Sequence, residues 1–296
     1  MFIDVKRNVE PYYKATMILF KHSKDVKTYL KSTRETGNTI GFVPTMGALH
    51  KGHLSLIEES TKNNKITVAS IFVNPVQFNN KEDFIKYPST IEMDILKLEQ
   101  SGCDILFMPS EDEIYPDAKS KQKHFKLGHL EEVLEGKFRP GHFQGVCLVV
   151  EKLLAIVEPG NLYLGQKDYQ QCLVIRKLIS LINKNINVVI CPIVRESNGL
   201  AMSSRNLRLS EEEKDMAASI YKTLENIKGK ISKENFAALK SESIASLEYK
   251  GFTVNYLELA DRMDLQIINN YADAKTRILL IAAYLNNIRL IDNLYC

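Results

Sequence analysis

The organisation of this 296-residue chain follows from one stretch of its sequence, Thr39-Ile40-Gly41-Phe42-Val43-Pro44-Thr45-Met46-Gly47-Ala48-Leu49-His50-Lys51-Gly52-His53. Its apolar start predicts a short buried strand that breaks at the proline and the following glycine. A helix is expected next, with two histidines around a glycine in its first turn. Such a strand-to-helix turn directs free backbone N–H groups and the positive helix end outward, which suits a phosphate. The stretch therefore predicts nucleotide chemistry.

Composition places the chain among globular proteins and excludes several classes. Apolar residues make up 45% and charged residues 25% of the chain, which excludes a disordered protein. The net charge of +3 comes without a Lys/Arg-rich run, so we expect no nucleic-acid partner. Five scattered cysteines without a C-x-x-C pair predict free thiols in a reducing cytosol.

No segment of the sequence predicts a membrane partner. The longest apolar run, residues 278–285, is too short to span a bilayer. Charged residues are spread through residues 1–21, which is not typical of a signal peptide. We therefore expect a cytoplasmic protein.

Helices and strands alternate in the first two-thirds of the chain. Strand runs such as residues 67–73 are apolar on both faces, as in parallel strands covered by helices on each side. The pattern predicts an α/β fold with a Rossmann-like, doubly wound parallel sheet, whose ligands lie beyond the strand C-termini. The predicted strands are 39–43, 66–73, 104–108, 161–164 and 188–192, and the predicted helices are 23–36, 50–62, 91–100, 145–156 and 168–183.

The character of the chain changes after Val194. Residues 195–199 are polar and predict a flexible hinge. Two helices (211–228 and 233–249) and two strands (253–259 and 277–285) are expected beyond it, forming a smaller α/β domain. The predicted division is an N-terminal extension at 1–17, a Rossmann-like domain at 18–194 and a C-terminal domain at 195–296.

His50 and His53 are the first candidate site residues. They are two of only six histidines and flank Gly52 at a helix start directly after a buried strand. Imidazole donors there can stabilise charge that develops on phosphorus, and Gly52 would let a nucleotide approach the helix backbone. Two ordinary surface histidines are the alternative. A zinc site is disfavoured, because no third ligand has suitable spacing.

Three further segments carry candidate site residues, each with a plainer alternative. Lys167 can pair with phosphate beside Asp168, although Asp168 alone would serve as a helix N-cap. The segment Met202-Ser203-Ser204-Arg205-Asn206 can close over a polyphosphate, or form a polar turn. The loop at 136–145 carries Arg139 and His142, which form either the wall of an anion site or ordinary surface.

Together these segments resemble the pantothenate synthetase (pantoate–β-alanine ligase) family. That family belongs to the nucleotidyltransferase superfamily and shares its H-x-G-H motif with class I aminoacyl-tRNA synthetases. The resemblance runs in unchanged order from Ile18 to Asn293 and includes Val73-Asn74-Pro75-Val76-Gln77-Phe78 and Arg289-Leu290-Ile291-Asp292-Asn293. H-x-G-H alone is moderately specific, whereas its combination with F-V-N-P-x-Q-F, G-x-K-D and M-S-S-R is highly specific.

The resemblance implies an ATP- and magnesium-dependent condensation of pantoate with β-alanine through a pantoyl-adenylate, by a homodimer. It implies that Gln77, Gln171 and Asn74 bind pantoate or β-alanine. It implies catalytic roles for six residues: His53, His50, Lys167, Ser203, Ser204 and Arg205. The implied ATP-binding residues are Met46, Gly47, Ala48, Leu49, His50, Lys51, Gly52, His53, Gly165, Gln166, Lys167, Asp168, Val194, Met202, Ser203, Ser204 and Arg205. No metal ligand from the protein is required, although Asp94 or Asp168 would lie near magnesium.

The chain departs from the family pattern at a few positions, and two other functions stay open. Ser89 stands where the family commonly has arginine, Arg208 where it has tyrosine, and the first sixteen or so residues have no counterpart. One alternative is a nucleotidyltransferase that adenylates a phosphate acceptor in dinucleotide or coenzyme synthesis, which would need cations in place of Gln77 and Gln171. The other is a catalytically silent ATP-binding protein.

Overall fold

The computed structural model describes residues 17–296. The predicted N-terminal extension therefore lies outside the described residues, except for Met17.

A six-stranded parallel sheet forms the centre of the first part of the chain. Its spatial order is β1-β4-β3-β2-β5-β6. After β2 the chain adds β3 and β4 on one side of β2, and it then returns to add β5 and β6 on the other side. The predicted doubly wound fold is confirmed, and ligands of such sheets bind at this reversal point. The strands are β1 Ile18–Phe20, β2 Ile40–Thr45, β3 Ile66–Ile71, β4 Ile105–Phe107, β5 Asn161–Gly165 and β6 Asn187–Cys191.

Helices cover both faces of this sheet. Phe42 of β2 packs in the core with the helices α1, α7 and α8, whereas its neighbour Val43 packs with α2 and α4 on the opposite face. Alternate strand residues point to opposite faces, which explains the continuous apolar runs. The helices are α1 Ser23–Glu35, α2 Lys51–Asn63, α3 Lys81–Ile85, α4 Ile91–Gln100, α5 Glu111–Ile114, α6 Leu134–Phe138, α7 His142–Val157, α8 Tyr169–Leu181, α9 Glu211–Ala217, α10 Ser219–Lys230 and α11 Phe236–Tyr249.

An antiparallel sheet of three strands forms the second part of the chain. Its core packs against α10 and α11. The last strand was not predicted. The strands are β7 Phe252–Asp261, β8 Arg277–Leu285 and β9 Ile288–Tyr295.

Several predicted element boundaries were wrong. β2 does not break at Pro44 but continues to Thr45, paired with β3. Its pairing with β5 ends at Phe42, so the missing N–H of Pro44 interrupts no ladder. The loop predicted at 136–145 contains the end of α6, and α7 begins at His142. The single helix predicted at 211–228 is divided at Ala218.

The flexible hinge predicted at 195–199 is instead a hydrogen-bonded hairpin. Arg195 pairs with Ala201 in a β-bridge, and the Gly199 N–H donates to the Glu196 carbonyl at 2.9 Å. The Arg195 guanidinium donates to the Asp292 carboxylate on β9 at 2.6 and 3.0 Å. Polar composition suggested flexibility, but these side chains find partners within the turn and on the second sheet.

Candidate active site

The turn that follows β2 is held by a carboxylate from another helix. Gly47 and Ala48 have φ values of 77° and 49°. The Ala48 and Leu49 N–H groups each donate to Asp94 of α4 at 2.8 Å. The expectation of free N–H groups in this turn is therefore wrong, since Asp94 already occupies these two donors.

Asp94 holds the turn from a buried position. Its side chain is fully buried, and it also accepts a hydrogen bond from the Thr90 hydroxyl at 3.0 Å. A Cβ atom on Gly47 would lie 3.1 Å from its Oδ2 atom. Both oxygens of Asp94 thus hold groups of the protein, and its expected place near magnesium stays a prediction.

The two histidines of the H-x-G-H motif cap helix α2. The Gly52 N–H donates to His50 Nδ1 at 3.1 Å, and the His50 N–H points at His53 Nδ1 at 3.4 Å. Because each Nδ1 accepts, each neutral ring carries its hydrogen on Nε2. The ring centroids lie 4.0 Å apart, so the motif presents two adjacent Nε2–H donors.

Gly52 makes room for His50. A Cβ atom at this position would lie 2.9 Å from the His50 ring. The glycine was expected to admit a nucleotide to the helix backbone, but its close neighbour in the structure is this imidazole.

Both imidazoles are neutral donors near neutral pH. Burial lowers the pKa of His50 to about 2 and that of His53 to about 4. The ammonium groups of Lys167 and Lys97 act in the same direction on both rings. His50 and His53 can therefore donate hydrogen bonds while both rings stay neutral over the physiological pH range.

A cavity of about 200 Å³ lies beside these histidines, at the reversal point of the sheet. It brings together residues that are distant in sequence, from the ends of β2 and β5 to the segment after β6. The predicted site residues that line it are Met46, His50, Gly52, His53, Gln77, Gly165, Lys167, Asp168, Gln171, Val194, Met202, Ser203, Ser204 and Arg205. The predicted site residues that do not line it are Gly47, Ala48, Leu49, Lys51, Gln166 and Asn74.

Asn74 orients Gln77. The Asn74 amide donates to Gln77 Oε1 at 3.1 Å and to the Gly145 carbonyl at 3.0 Å, while its Oδ1 accepts from the Tyr115 hydroxyl at 2.9 Å. Its side chain is 1% exposed. Gln77 Nε2 lies 2.8 Å from Met46 Sδ, so both ends of the Gln77 amide are fixed.

In the segment between β5 and α8, some side chains face the cavity and another faces the second sheet. Lys167 and Asp168 line the cavity and lie 3.7 Å apart. Gln166 turns away and donates to Asn293 Oδ1 at 3.1 Å, and Asn293 in turn donates to the Gln166 and Lys167 carbonyls. The second sheet therefore holds the backbone of this segment.

The segment at 202–205 rests on the first part of the chain. The Ser204 hydroxyl donates to the Ala48 carbonyl at 3.0 Å and also hydrogen-bonds Tyr87. Arg205 donates to Asp83 of α3 at 2.7 and 3.3 Å. The cavity is thus closed on this side.

His142 is buried and the Arg139 side chain is only 17% exposed, so neither is an ordinary surface residue. The Arg139 Nη1 and His142 Nε2 atoms lie 3.0 Å apart, and His142 Nδ1 lies 2.8 Å from the Gln77 carbonyl oxygen. Burial and the neighbouring Arg139 charge lower the pKa of His142 to about 3. The neutral ring therefore accepts from Arg139 and donates to Gln77.

Comparison with known proteins identifies the family. The sequence model of pantoate-beta-alanine ligase matches residues 18–295. The chain belongs to the pantoate–β-alanine ligase family. Its activity is the joining of pantoate and β-alanine through a C–N bond.

Relatives and solved structures agree with this assignment over nearly the whole chain. The pantothenate synthetase of Cytophaga hutchinsonii is 46% identical over 94% of this chain and 99% of its own length. The Thermus thermophilus pantothenate synthetase structure has a TM-score of 0.85 and 36% identity, covering 94% of this chain and 99% of that one. The Francisella tularensis ligase, complexed with beta-gamma ATP and beta-alanine, has a TM-score of 0.81 and 39% identity, covering 94% and 97%.

Sequence reasoning about this ligase missed Asp83, Tyr87 and Tyr115. Tyr87 lines the cavity itself, whereas Asp83 and Tyr115 act through another residue, so no motif spacing connects those two to the cavity. The Tyr115 hydroxyl, for example, reaches Asn74 from 41 residues away. Between residues 17 and 296, no helix is both long and apolar enough to cross a membrane, and no group of three His, Cys, Asp or Glu side chains is placed to hold a metal ion.

Proposed function

We propose that this ligase activates pantoate with ATP as a pantoyl-adenylate and then transfers the pantoyl group to β-alanine. ATP and β-alanine are proposed because the Francisella tularensis relative is complexed with beta-gamma ATP and beta-alanine. One observation carries the proposal. A single cavity is bordered by the neutral donors of His50 and His53 together with Lys167, and also by the amides of Gln77 and Gln171.

In the first step a pantoate carboxylate oxygen attacks the α-phosphorus of ATP, and the bond to pyrophosphate breaks. The substrate is its own nucleophile, so the protein needs no activated serine or cysteine. Catalysis then rests on positioning and on stabilising charge at phosphorus. The Nε2–H groups of His50 and His53 and the cations of Lys167 and Arg205 suit that task.

The amides of Gln77 and Gln171 suit the other substrate. An amide offers both a donor and an acceptor, so it can satisfy the hydroxyls and the carboxylate of pantoate. Asn74 supports this role indirectly, by holding the amide of Gln77. We therefore propose Asn74 as a positioning residue.

In the second step the deprotonated amine of β-alanine attacks the acyl carbon of the adenylate. The C–O bond to phosphate breaks, AMP leaves with that oxygen, and the amine proton passes to solvent. Closure of the 202–205 segment over the cavity would keep water from the labile anhydride.

Magnesium would accompany the nucleotide. It favours phosphate oxygens with one or two carboxylates, and the half-exposed Asp168 carboxylate at the cavity fits that preference. Asp94 does not, because both of its oxygens are occupied. Bound magnesium would neutralise phosphate charge.

We further propose that residues 18–194 bind ATP and pantoate and that residues 195–296 act as the lid. The homodimer that the family resemblance implied belongs to the same proposal, as does the cytoplasmic location expected from the composition.

The test is pantoate-dependent exchange of labelled pyrophosphate into ATP, followed by AMP release on addition of β-alanine. We expect exchange with pantoate alone and AMP release only with both substrates. Exchange that needs a phosphate acceptor in place of pantoate would contradict the proposal in favour of the nucleotidyltransferase alternative. Replacing the exposed His124 by alanine provides a control that should leave both signals unchanged.

A further inference from the structure

Asp83 of α3 is shared by two arginines from the segment after β6. Its Oδ2 accepts from Arg205 Nη2 at 2.7 Å, and its Oδ1 accepts from Arg205 Nε at 3.3 Å and from Arg208 Nη1 at 3.2 Å. All three side chains are about three-quarters buried or more. The cluster therefore joins α3 to the 3₁₀ turn Ser204–Arg208.

Asp83 leaves one side of Arg205 available to a ligand. It holds the Nε and Nη2 atoms of the guanidinium, whereas Nη1 donates to no protein acceptor among residues 17–296. Arg205 lines both the 200 Å³ cavity and a second cavity of about 470 Å³ that adjoins it. A guanidinium held along one edge has lost rotamer freedom before the ligand arrives, which reduces the entropic cost of binding.

The second arginine changes the charge of the cluster. Asp83 alone would offset the charge of Arg205 and repel a nearby polyphosphate. With two guanidinium groups facing one carboxylate, the cluster keeps a net positive charge.

We propose that Asp83 is a positioning residue that fixes Arg205 toward the polyphosphate of ATP, and that Arg208 offsets the charge of Asp83. The inference rests on the proposed role of Arg205 as a phosphate contact. Neither Asp83 nor Arg208 lines the 200 Å³ cavity, although Asp83 borders the second cavity beside Arg205. On a ligand in the 200 Å³ cavity, both therefore act through Arg205.

The experiment measures the KM for ATP and for pantoate in pyrophosphate exchange. Asp83→Asn should raise the ATP KM by about tenfold, because the charged hydrogen bonds between the Asp83 carboxylate and the Arg205 guanidinium are lost. The pantoate KM should stay within about twofold, and Asp83→Glu should recover most of the ATP affinity. Arg208→Met should raise the ATP KM by about threefold and Arg208→Lys much less, because lysine keeps the charge.

Two controls separate positioning from a structural role. Glu82→Gln removes a carboxylate of the same helix. This carboxylate pairs with Lys86, so its loss should leave the ATP KM unchanged. In an Arg205→Met background, Asp83→Asn should have no further effect, because its action passes through Arg205. An equal effect in both backgrounds, or a lower ATP KM in Asp83→Asn, would overturn the inference.

Calorimetric ATP binding distinguishes this inference from the proposed function. If the unmodified protein binds ATP without pantoate-dependent exchange, the proposed function fails, and weaker ATP binding by Asp83→Asn still supports positioning. If exchange occurs and Asp83→Asn leaves both ATP binding and the ATP KM unchanged, positioning fails alone. Absence of ATP binding in the unmodified protein overturns both.

Discussion

The Asp94 carboxylate accepts the Leu49 backbone N–H at 2.8 Å, and its other oxygen accepts the adjacent N–H of Ala48 at the same distance. A side chain from α4 thus fixes the turn that leads into the histidine motif. The positions of His50 and His53 follow from this turn, because His50 is the residue directly after it and caps the next helix.

Asp94→Asn should disturb this turn. An amide has one acceptor oxygen, so its NH₂ group would face one of the two backbone donors. We expect a loss of about 1–3 kcal/mol in the free energy of unfolding, measured by urea denaturation. Asp112→Asn changes an exposed carboxylate and should have no comparable effect. Equal stability of the two variants would contradict this role of Asp94.

His53→Ala should slow adenylation more than it weakens substrate binding. Loss of one donor to developing charge typically lowers the rate by about 10²–10³-fold. Single-turnover release of pyrophosphate measures this step directly. An unchanged single-turnover rate would rule out charge stabilisation by His53.

The stability of the protein should fall as the pH drops below about 6.5. His50, His53 and His142 have an ordinary pKa of 6.5 when unfolded, and pKa values of about 2, 4 and 3 when folded. Between pH 6.5 and 4 the unfolded chain therefore binds protons that the folded chain does not, so the free energy of unfolding rises with pH.

This pH dependence can be assigned to the histidines. Buried Glu135, whose pKa Arg289 lowers to about 2 against the effect of burial, contributes only below its ordinary value of 4.5. Burial raises the pKa of Asp292, and this carboxyl acts in the opposite direction on the free energy of unfolding. A rise with pH in urea denaturation between pH 7.5 and 4.5 therefore reports the histidines. His142→Gln should reduce the slope by about a third, as one of three groups is lost. A free energy of unfolding that is constant over this range would show that the rings are not buried as neutral groups.

Asn74→Ala should affect pantoate more than ATP. Without the Asn74 amide, Gln77 Oε1 loses its donor and the Gln77 side chain its fixed orientation. The pantoate KM should rise by about tenfold, since each tenfold change corresponds to about 1.4 kcal/mol, while the ATP KM stays within about twofold. Exchange kinetics at varied pantoate and varied ATP provide both values. Parallel rises in both KM values would indicate a general loss of structure instead.

The sequence was sufficient to predict the parts of the fold that local patterns determine. Apolar runs on both faces predicted the parallel sheet. The family resemblance predicted fourteen of the residues that line the cavity, and ten of these lie in the H-x-G-H, G-x-K-D and M-S-S-R segments. The missed strand β1 has three residues, two of them exposed, and it pairs with β4. A segment of that length has no periodicity to detect.

The supporting contacts could not be predicted, because they join residues far apart in the sequence. Asp94 reaches Leu49 across 45 residues, and Asp83 reaches Arg205 across 122. Local composition also misled at residues 195–199, where polar side chains formed a hairpin in place of a hinge. Which backbone donors stay free is decided by tertiary contacts, and this explains the error at Ala48 and Leu49.

The central claim, attack of the pantoate carboxylate on phosphorus, is tested most directly by oxygen transfer. Pantoate labelled with ¹⁸O in its carboxylate is incubated with ATP and β-alanine, and the AMP is examined by mass spectrometry. The adenylate route predicts one ¹⁸O atom in each AMP molecule, because the acyl C–O bond breaks in the second step. AMP without ¹⁸O would contradict the adenylate and with it the roles proposed for His50, His53 and Arg205.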